Sequence, residues 1–345
     1  MDVCLEVRTA LAVEECGSDV ALKALQAPWK TLWLQCPQAT LFQSPEWLIP
    51  WWKHLGEGEL WVLTVWQDHQ LVGLAPLLID TDPVTSARIV YLLGTGITDY
   101  LDMLFLPGFE REGVAAIISY LECNRHRWDN CDFQQLSGSS ALLEVPAAPD
   151  WTSEISVQEV CPVLKLPPLT SELPAQVPTR MLDKLKNYRR RLTRIAALQV
   201  EAVQPENFEE FFNNFVRLHQ ARWGARGQNG ALETAELQAF HREAAWNLLS
   251  MGVLRLYALT VRDQIAATLY GFSHGGRAFY YLSGFDPELA EFGPGTLMIG
   301  HAIEQAIHER LTEFDFLRGR DAYKYMWGAK GRLNYRRQFA HSEAA

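Results

Sequence analysis

Gly293-Pro294-Gly295, followed by Thr296, is the stretch of this chain whose residue types most directly suggest chemistry. It stands between a strand-like segment and a helical one, so backbone N–H groups at the helix start have no partner within the helix. Glycine lets such amides approach a ligand without an intervening Cβ, and the positive end of the helix dipole favours a negative charge there. Gly293, Pro294, Gly295 and Thr296 are therefore expected to receive the phosphate of a phosphate-bearing acyl donor. A plain loop ending at a helix start is the competing reading.

Other chemistry-bearing residues come in four groups. Asp99, Tyr100 and Asp102 share one loop after a strand, where carboxylates could bind an acceptor amine or hydroxyl and take its proton; a solvated turn with an Asx cap would look the same. Residues 180–194 hold Arg180, Lys184, Lys186, Arg189, Arg190, Arg191 and Arg194 against a single acid, Asp183. Lys186 and Arg190 are the anion-binding candidates of that helix, which Met181, Leu185, Tyr188 and Leu192 would dock; a solvated basic face is the alternative. His219 and Arg222 close another helix and could line an acceptor site, or make ordinary helix-face contacts. Arg318, Tyr323 and Lys324 follow the apolar run Phe314 to Leu317.

These groups need elements to position them. Ala278 to Phe285 reads as a strand closed by Asp286-Pro287. From Thr296 to Arg310 the apolar residues recur at helical spacing, and Phe314 to Leu317 reads as a buried strand. An earlier stretch has the same order. Glu59 to Ile79 and Val253 to Ser273 are each two apolar strands around a polar hairpin, Gln67-Asp68-His69-Gln70 in one and Arg262-Asp263-Gln264 in the other. After the first come a strand Arg88 to Leu93, a helix Gly113 to Arg125 and the apolar run Cys131 to Leu136. Two like-built domains are expected, at residues 1–150 and 179–345, joined by a Pro-rich extended connector at 151–178 with little helix. Phe208 to Arg222 and Glu233 to Met251 read as helices flanking the glycine-rich loop Gly224 to Gly230, a lid or a surface turn.

Composition bounds the reading. The chain has 345 residues, of which 48% are hydrophobic and 21% charged, enough for a sizeable core and far from a disordered composition. No basic n-region precedes an apolar stretch and no window reaches a membrane-spanning length, so a cytoplasmic protein without a membrane span is expected. The net charge of -10 speaks against DNA. Cys4, Cys16, Cys36, Cys123, Cys131 and Cys161 lack C-x-x-C or zinc-type spacing and read as reduced thiols; no metal site is expected.

Taken in order, several segments resemble the GNAT-type acetyltransferases of the CelD/BcsL group, associated with cellulose and exopolysaccharide biosynthesis and similar to the Fem peptidyltransferases. They are SPEWLIPWW at Ser44 to Trp52, LVGLAPLL at Leu71 to Leu78, TDYLD at Thr98 to Asp102, KLKNYRRRLTR at Lys184 to Arg194, LHQARW at Leu218 to Trp223, AFHREAA at Ala239 to Ala245, YYLSGFDP at Tyr280 to Pro287, PGTLMI at Pro294 to Ile299 and EFDFLRGRDAYKYMWG at Glu313 to Gly328. The resemblance implies a mixed α/β fold of tandem GNAT-like domains, each a mostly antiparallel sheet flanked by helices. It implies acyl transfer from acetyl-CoA or another acyl-CoA to a small-molecule, saccharide or peptide acceptor held between the domains.

Glu291-Phe292-Gly293-Pro294-Gly295 stands where single-domain relatives carry a Gln/Arg-x-x-Gly-x-Gly/Ala turn, without the basic residue. Fem-type relatives use aminoacyl-tRNA instead, which the overall acidity of this chain does not favour. A non-catalytic accessory role in polysaccharide synthesis is the third reading. Transfer needs a proton acceptor and donors for the carbonyl oxygen, roles read for Asp102, Tyr323 and Lys324. Fem relatives place a functional lysine in a similar C-terminal segment, which sets Lys324 near the developing oxyanion; a structural ion pair is its alternative. Asp99, Tyr100, His219, Arg222 and Arg318 join Lys186 and Arg190 as substrate contacts.

Overall fold

The computed structural model describes residues 10–225 and 227–341. The class is mixed α/β, as the sequence suggests. The described residues divide into two compact units, one of residues 10–52, 56–158 and 333–341, the other of residues 53–55, 159–225 and 227–332.

The first unit opens with β1 (Ala12–Cys16), α1 (Asp19–Gln35) and α2 (Pro45–Leu55). Short strands follow: β2 (Glu59–Leu60), β3 (Val62–Gln67), β4 (Gln70–Ala75), β5 (Leu77–Thr81), β6 (Arg88–Leu92) and β7 (Leu104–Phe105). Then come α3 (Glu110–Cys123), β8 (Asn130–Ser137) and β9 (Trp151–Lys165). One sheet has the order β1-β3-β4-β7, and β2, β5, β6 and β8 pair in that order in another. The β3–β4 hairpin turns on Asp68 and His69, both left-handed at φ 47° and 66°, as a two-residue turn that follows strand twist requires.

The second unit is built from α4 (Thr179–Thr193), β10 (Leu198–Ala202), α5 (Phe208–Gly224) and α6 (Ala235–Ser250). These lead to β11 (Leu254–Val261), β12 (Gln264–His274), β13 (Arg277–Phe285), α7 (Pro294–His308), β14 (Glu313–Asp315) and the single turn α8 (Ala322–Tyr325). The β11–β12 hairpin again turns on two left-handed residues, Arg262 and Asp263. Its sheet runs β10-β11-β12-β13-β14 and ends on the second half of β9. The apolar stripe of α7, including Leu297, Ile299, Ile303 and Ile307, is buried against this sheet and against Met181, Leu185 and Leu192 of α4. Gly300 lets α4 come close, since a Cβ there would lie 2.7 Å from the Leu185 side chain.

Two expectations about boundaries differ from this arrangement. The segment at 151–178 is not only a connector, because its first 15 residues form β9 and residues Thr170–Ala175 make a 3-10 turn. The last strand, β15 (Lys330–His341), pairs antiparallel with β8, Asn334 opposite Ser137, so residues 333–341 belong to the first unit rather than closing a domain at 179–345. No described helix is long and apolar enough to cross a membrane.

Candidate active site

The cavity with the most chemistry opens where β13 loses its neighbour. β14 pairs in parallel with only Arg277, Ala278 and Phe279 of β13, and beyond Phe279 the strand borders a hollow of about 240 Å³. A bulge shapes the wall. Tyr270 of β12 faces Leu282 and Gly271 faces Tyr280, which leaves Tyr281 as an extra residue. Side chains three apart on a regular strand point to opposite faces. The extra residue brings Tyr280, Ser283 and Phe285 to one face, and all three line the cavity.

The opposite wall is the start of α7. Gly293 is left-handed, φ 64° and ψ 45°, and no side chain caps the helix. The Gly293 carbonyl accepts from the Leu297 amide, and among the described residues nothing accepts from the amides of Gly295 or Thr296. The first turn holds no acidic residue. Lys184 of α4 also lines the hollow. The first unit differs at its own α3, where Glu110 and Glu112 sit in the first turn and Glu110 accepts from the Gly108 amide. There the Phe105 ring lies against Gly113, 2.2 Å from where a Cβ would be. Acids at that helix start already answer the dipole.

A polar chain crosses the cavity. Arg222 Nη1 donates to the Ser283 hydroxyl at 2.8 Å and to its carbonyl at 3.3 Å. The Ser283 hydroxyl is 2.6 Å from that of Tyr280, and Tyr280 in turn hydrogen bonds to Tyr323. Burial, reinforced by the Tyr280 hydroxyl, pushes Tyr323 far above the ordinary tyrosine range, so it keeps its proton. The arrangement supplies unpaired amides with Lys184 nearby on one side and Arg222 with proton-bearing hydroxyls on the other. It can hold an anionic ligand and donate hydrogen bonds to an oxygen or sulfur that gains charge.

Of the residues read from the sequence, Gly293, Pro294, Gly295, Thr296, Arg222 and Tyr323 line this one cavity. Lys324 does not. Its ammonium is buried and donates to the carbonyls of Leu317, at 3.2 Å, and Arg318, at 2.6 Å, with Asp321 3.4 Å away. Those partners engage a lysine's three donors, the kind of contact its structural alternative describes. Arg318 takes part through that carbonyl and does not line the hollow.

Lys186 and Arg190 are exposed on the outer side of α4, Arg190 bonded to Asn187 at 3.0 Å; Lys184 is the cation that faces inward. A basic residue of α4 lies against the Glu291 to Gly295 turn. Arg191 donates to the Glu291 carbonyl at 3.0 Å and to its carboxylate at 2.9 Å, so its charge is matched there.

His219 is 1% exposed and lies behind the wall. Its Nδ1 meets the Ser283 carbonyl at 3.2 Å, and burial, with a smaller push from Arg222, lowers its pKa to about 4. Asp99, Tyr100 and Asp102 belong to the first unit. Asp99 and Tyr100 are buried, the Tyr100 carbonyl accepting from Gln43 at 2.9 Å. Asp102 accepts from the Ser140 hydroxyl at 2.9 Å and the Met103 amide at 2.8 Å, and burial pushes its pKa up to about 7. The loop is thus a packed one rather than a solvated turn. Tyr280, Ser283 and Lys184 were missed as site residues, because only the bulge and the facing of α4 reveal them. Among the described residues no group of three or more His, Cys, Asp or Glu could hold a metal.

Residues 179–325 match the family model described as the acetyltransferase (GNAT) domain. No curated protein matches the chain. Among solved structures, that of FemX is similar with a TM-score of 0.66 at 12% identity, covering 90% of this chain and 95% of that one. L-PGS from Bacillus licheniformis gives 0.59 at 10% identity, with 92% of each chain covered. A conserved protein of unknown function from Bacteroides thetaiotaomicron VPI-5482 also gives 0.59, at 12% identity, with 95% and 100% covered. At such identities the likeness is one of fold. The chain thus shares its fold with the FemX and L-PGS structures, and its segment 179–325, which contains all of the cavity's lining but Met326 and Trp327, carries the sequence pattern of a GNAT acetyltransferase domain.

Proposed function

We propose that this cavity is an acyl-transfer site, taking an acyl group from acetyl-CoA or another acyl-CoA and passing it to the amine or hydroxyl of a small-molecule, saccharide or peptide acceptor. The carrying observation is the uncapped, acid-free start of α7 opening on the same hollow as the Tyr323, Tyr280, Ser283 and Arg222 chain. Placement in the CelD/BcsL group, a polysaccharide-related acceptor and a cytoplasmic setting are parts of this reading.

The residues fit an anionic thioester carrier. Gly295 and Thr296 offer amides, Lys184 a nearby charge, and no acid faces them. The hollow is smaller than the roughly 300–1,000 Å³ of whole small-molecule sites, so it suits the reactive end of a carrier rather than all of it. An acyl thioester supplies an activated carbonyl when bound. Tyr323, held in its protonated form, and Tyr280 can donate hydrogen bonds to its oxygen as that gains charge. As the bond from acceptor nitrogen or oxygen to the carbonyl carbon forms and the C–S bond breaks, the acceptor gives up its proton to the surrounding water and the departing thiolate takes one from it. Arg222 orients the Ser283 and Tyr280 hydroxyls for this.

Thermal denaturation with and without coenzyme A and acetyl-CoA tests the reading. A ligand at 100 times its Kd stabilises by about 2.7 kcal/mol, so a rise of several degrees is expected at millimolar ligand. No rise would remove the thioester donor.

A second donor, an aminoacyl ester of tRNA, is favoured by one observation. Arg180, Lys186 and Arg190 of α4 and Arg194 just after it have no carboxylate partner among the described residues, whereas Arg189 and Arg191 pair with Glu304 and Glu291. Binding of charged tRNA that weakens steeply with salt, and less steeply once those four are neutralised, would support it; flat dependence would exclude it.

A further inference from the structure

Arg222 uses only part of its guanidinium. Nη1 is committed to Ser283, and the group packs at 5.2 Å over the Phe285 ring and 5.9 Å over that of Trp223, which fixes its plane. Nε and Nη2 form the other edge. Nε is buried with no acceptor, and Nη2 has none among the described residues. That edge is the one with which this protein holds carboxylates elsewhere. Arg255 grips Glu309 through Nε at 2.8 Å and Nη2 at 2.7 Å. Arg336 grips Asp132 at 2.5 and 2.8 Å, and Arg88 grips Asp129 at 3.2 and 2.9 Å. Arg222 has the same fork, lines the cavity, and faces a lining with Lys184 as a second cation and no carboxylate.

We propose that Arg222 is the specificity-determining contact for a carboxylate on the molecule that fills this cavity, held side-on by Nε and Nη2. A buried guanidinium Nε without a partner is costly unless a ligand completes it. A planar two-oxygen group matches the fork, as the three internal pairs show. On the acyl-transfer reading, on which this assignment of source rests, the carboxylate belongs to the acceptor, an amino acid or peptide with a free α-carboxyl. The same chemistry could instead sit on the acyl group of the donor.

The test compares ligands that differ only in that group. Saturation-transfer NMR and calorimetry are run with free L-amino acids against their α-amides, and with succinyl-CoA against butyryl-CoA, on the full chain and on Arg222→Lys and Arg222→Gln, whose melting temperatures are measured alongside. At least a tenfold preference for the acid member of one pair is expected. It should vanish in Arg222→Gln and shrink in Arg222→Lys, which keeps the charge but not the fork. Preference within the amino-acid pair names the acceptor as source; preference within the thioester pair names the acyl group.

Equal binding of acid and amide and of both thioesters, failure of every carboxylate to bind, or an unchanged preference in either variant would overturn the proposal. If Arg222→Gln does not fold, Arg222→Lys decides alone. Coenzyme A binding without acid preference defeats this inference and leaves acyl transfer standing. Acid preference without coenzyme A binding does the reverse.

Discussion

The hydroxyls of Tyr280 and Ser283 lie 2.6 Å apart although the two residues are three positions apart on one strand. The bulge at Tyr281 makes this contact, and the contact links Arg222 to Tyr323. If the tyrosines hydrogen-bond the carbonyl oxygen as it gains charge, removing a hydroxyl removes that support while leaving the ring. Tyr323→Phe is expected to lower kcat for acyl transfer by about 10²-fold, the low end for loss of an oxyanion donor, with KM for the donor little changed. Steady-state kinetics following thiol release checks this. An unchanged kcat would take Tyr323 out of the chemistry.

Gly293 is the turn's conformational requirement. It is left-handed, and a Cβ there would fall 2.3 Å from the ring of Tyr188. Gly293→Ala therefore combines backbone strain with a collision, of order 1–3 kcal/mol for the strain alone. Its melting temperature should fall by several degrees and donor binding should weaken. Gly295→Ala is the control. Its φ is unexceptional and its Cβ would meet only Phe285, at 3.4 Å, so the fold should tolerate it. Equal destabilisation by both would mean that the left-handed turn at Gly293 is not what matters.

The pattern of strands and helices was readable because burial imposes a period. The residues of α7 repeat at helical spacing since one face of the helix lies on the sheet, and both hairpins announce themselves by polar residues between apolar runs. The site was only half readable. Gly293 to Thr296 is marked by glycine and proline, whose backbone preferences are local. Tyr280 and Ser283 are not marked, because strict alternation along β13 would send them to opposite faces and a bulge leaves no local signature in these residues. Lys184 and Lys186 look alike in the sequence, and only the side of α4 that docks decides which faces inward. Lys324 is ambiguous in the sequence for a related reason: whether a lysine near a site faces it or is held by backbone carbonyls depends on positions that no residue type discloses.

Lys324 should prove structural. Lys324→Ala leaves the carbonyls of Leu317 and Arg318 without their donor in a buried place, a loss of about 1–3 kcal/mol. Asp321, the third partner, is largely exposed, so Asp321→Asn should cost far less, in line with the small worth of an exposed ion pair. Chemical denaturation ranks the two. Equal losses would put the ion pair, rather than the carbonyls, in charge of the loop.

Asp102 gives the chain a pH dependence whose sign can be worked out. Its pKa is pushed up from about 3.8 to about 7, chiefly by burial. The folded state therefore binds a proton that the unfolded chain gives up, and stability fully present below the unfolded pKa is lost as pH rises through the folded one, at up to about 1.4 kcal/mol per pH unit. His219 and His241 act oppositely. Burial lowers them to about 4 and about 3, so their contribution is present above the ordinary histidine pKa and is lost as pH falls. Because the two effects overlap between about pH 4 and 6.5, a single profile would blur them. The difference between Asp102→Asn and the parent isolates one: asparagine keeps an acceptor for Ser140 and Met103 but carries no charge. The variant's advantage in melting temperature should grow from pH 4 to pH 7 and level off above. A constant difference across that range would mean that Asp102 is already ionised in the folded protein, and would remove it as a proton acceptor poised near neutrality.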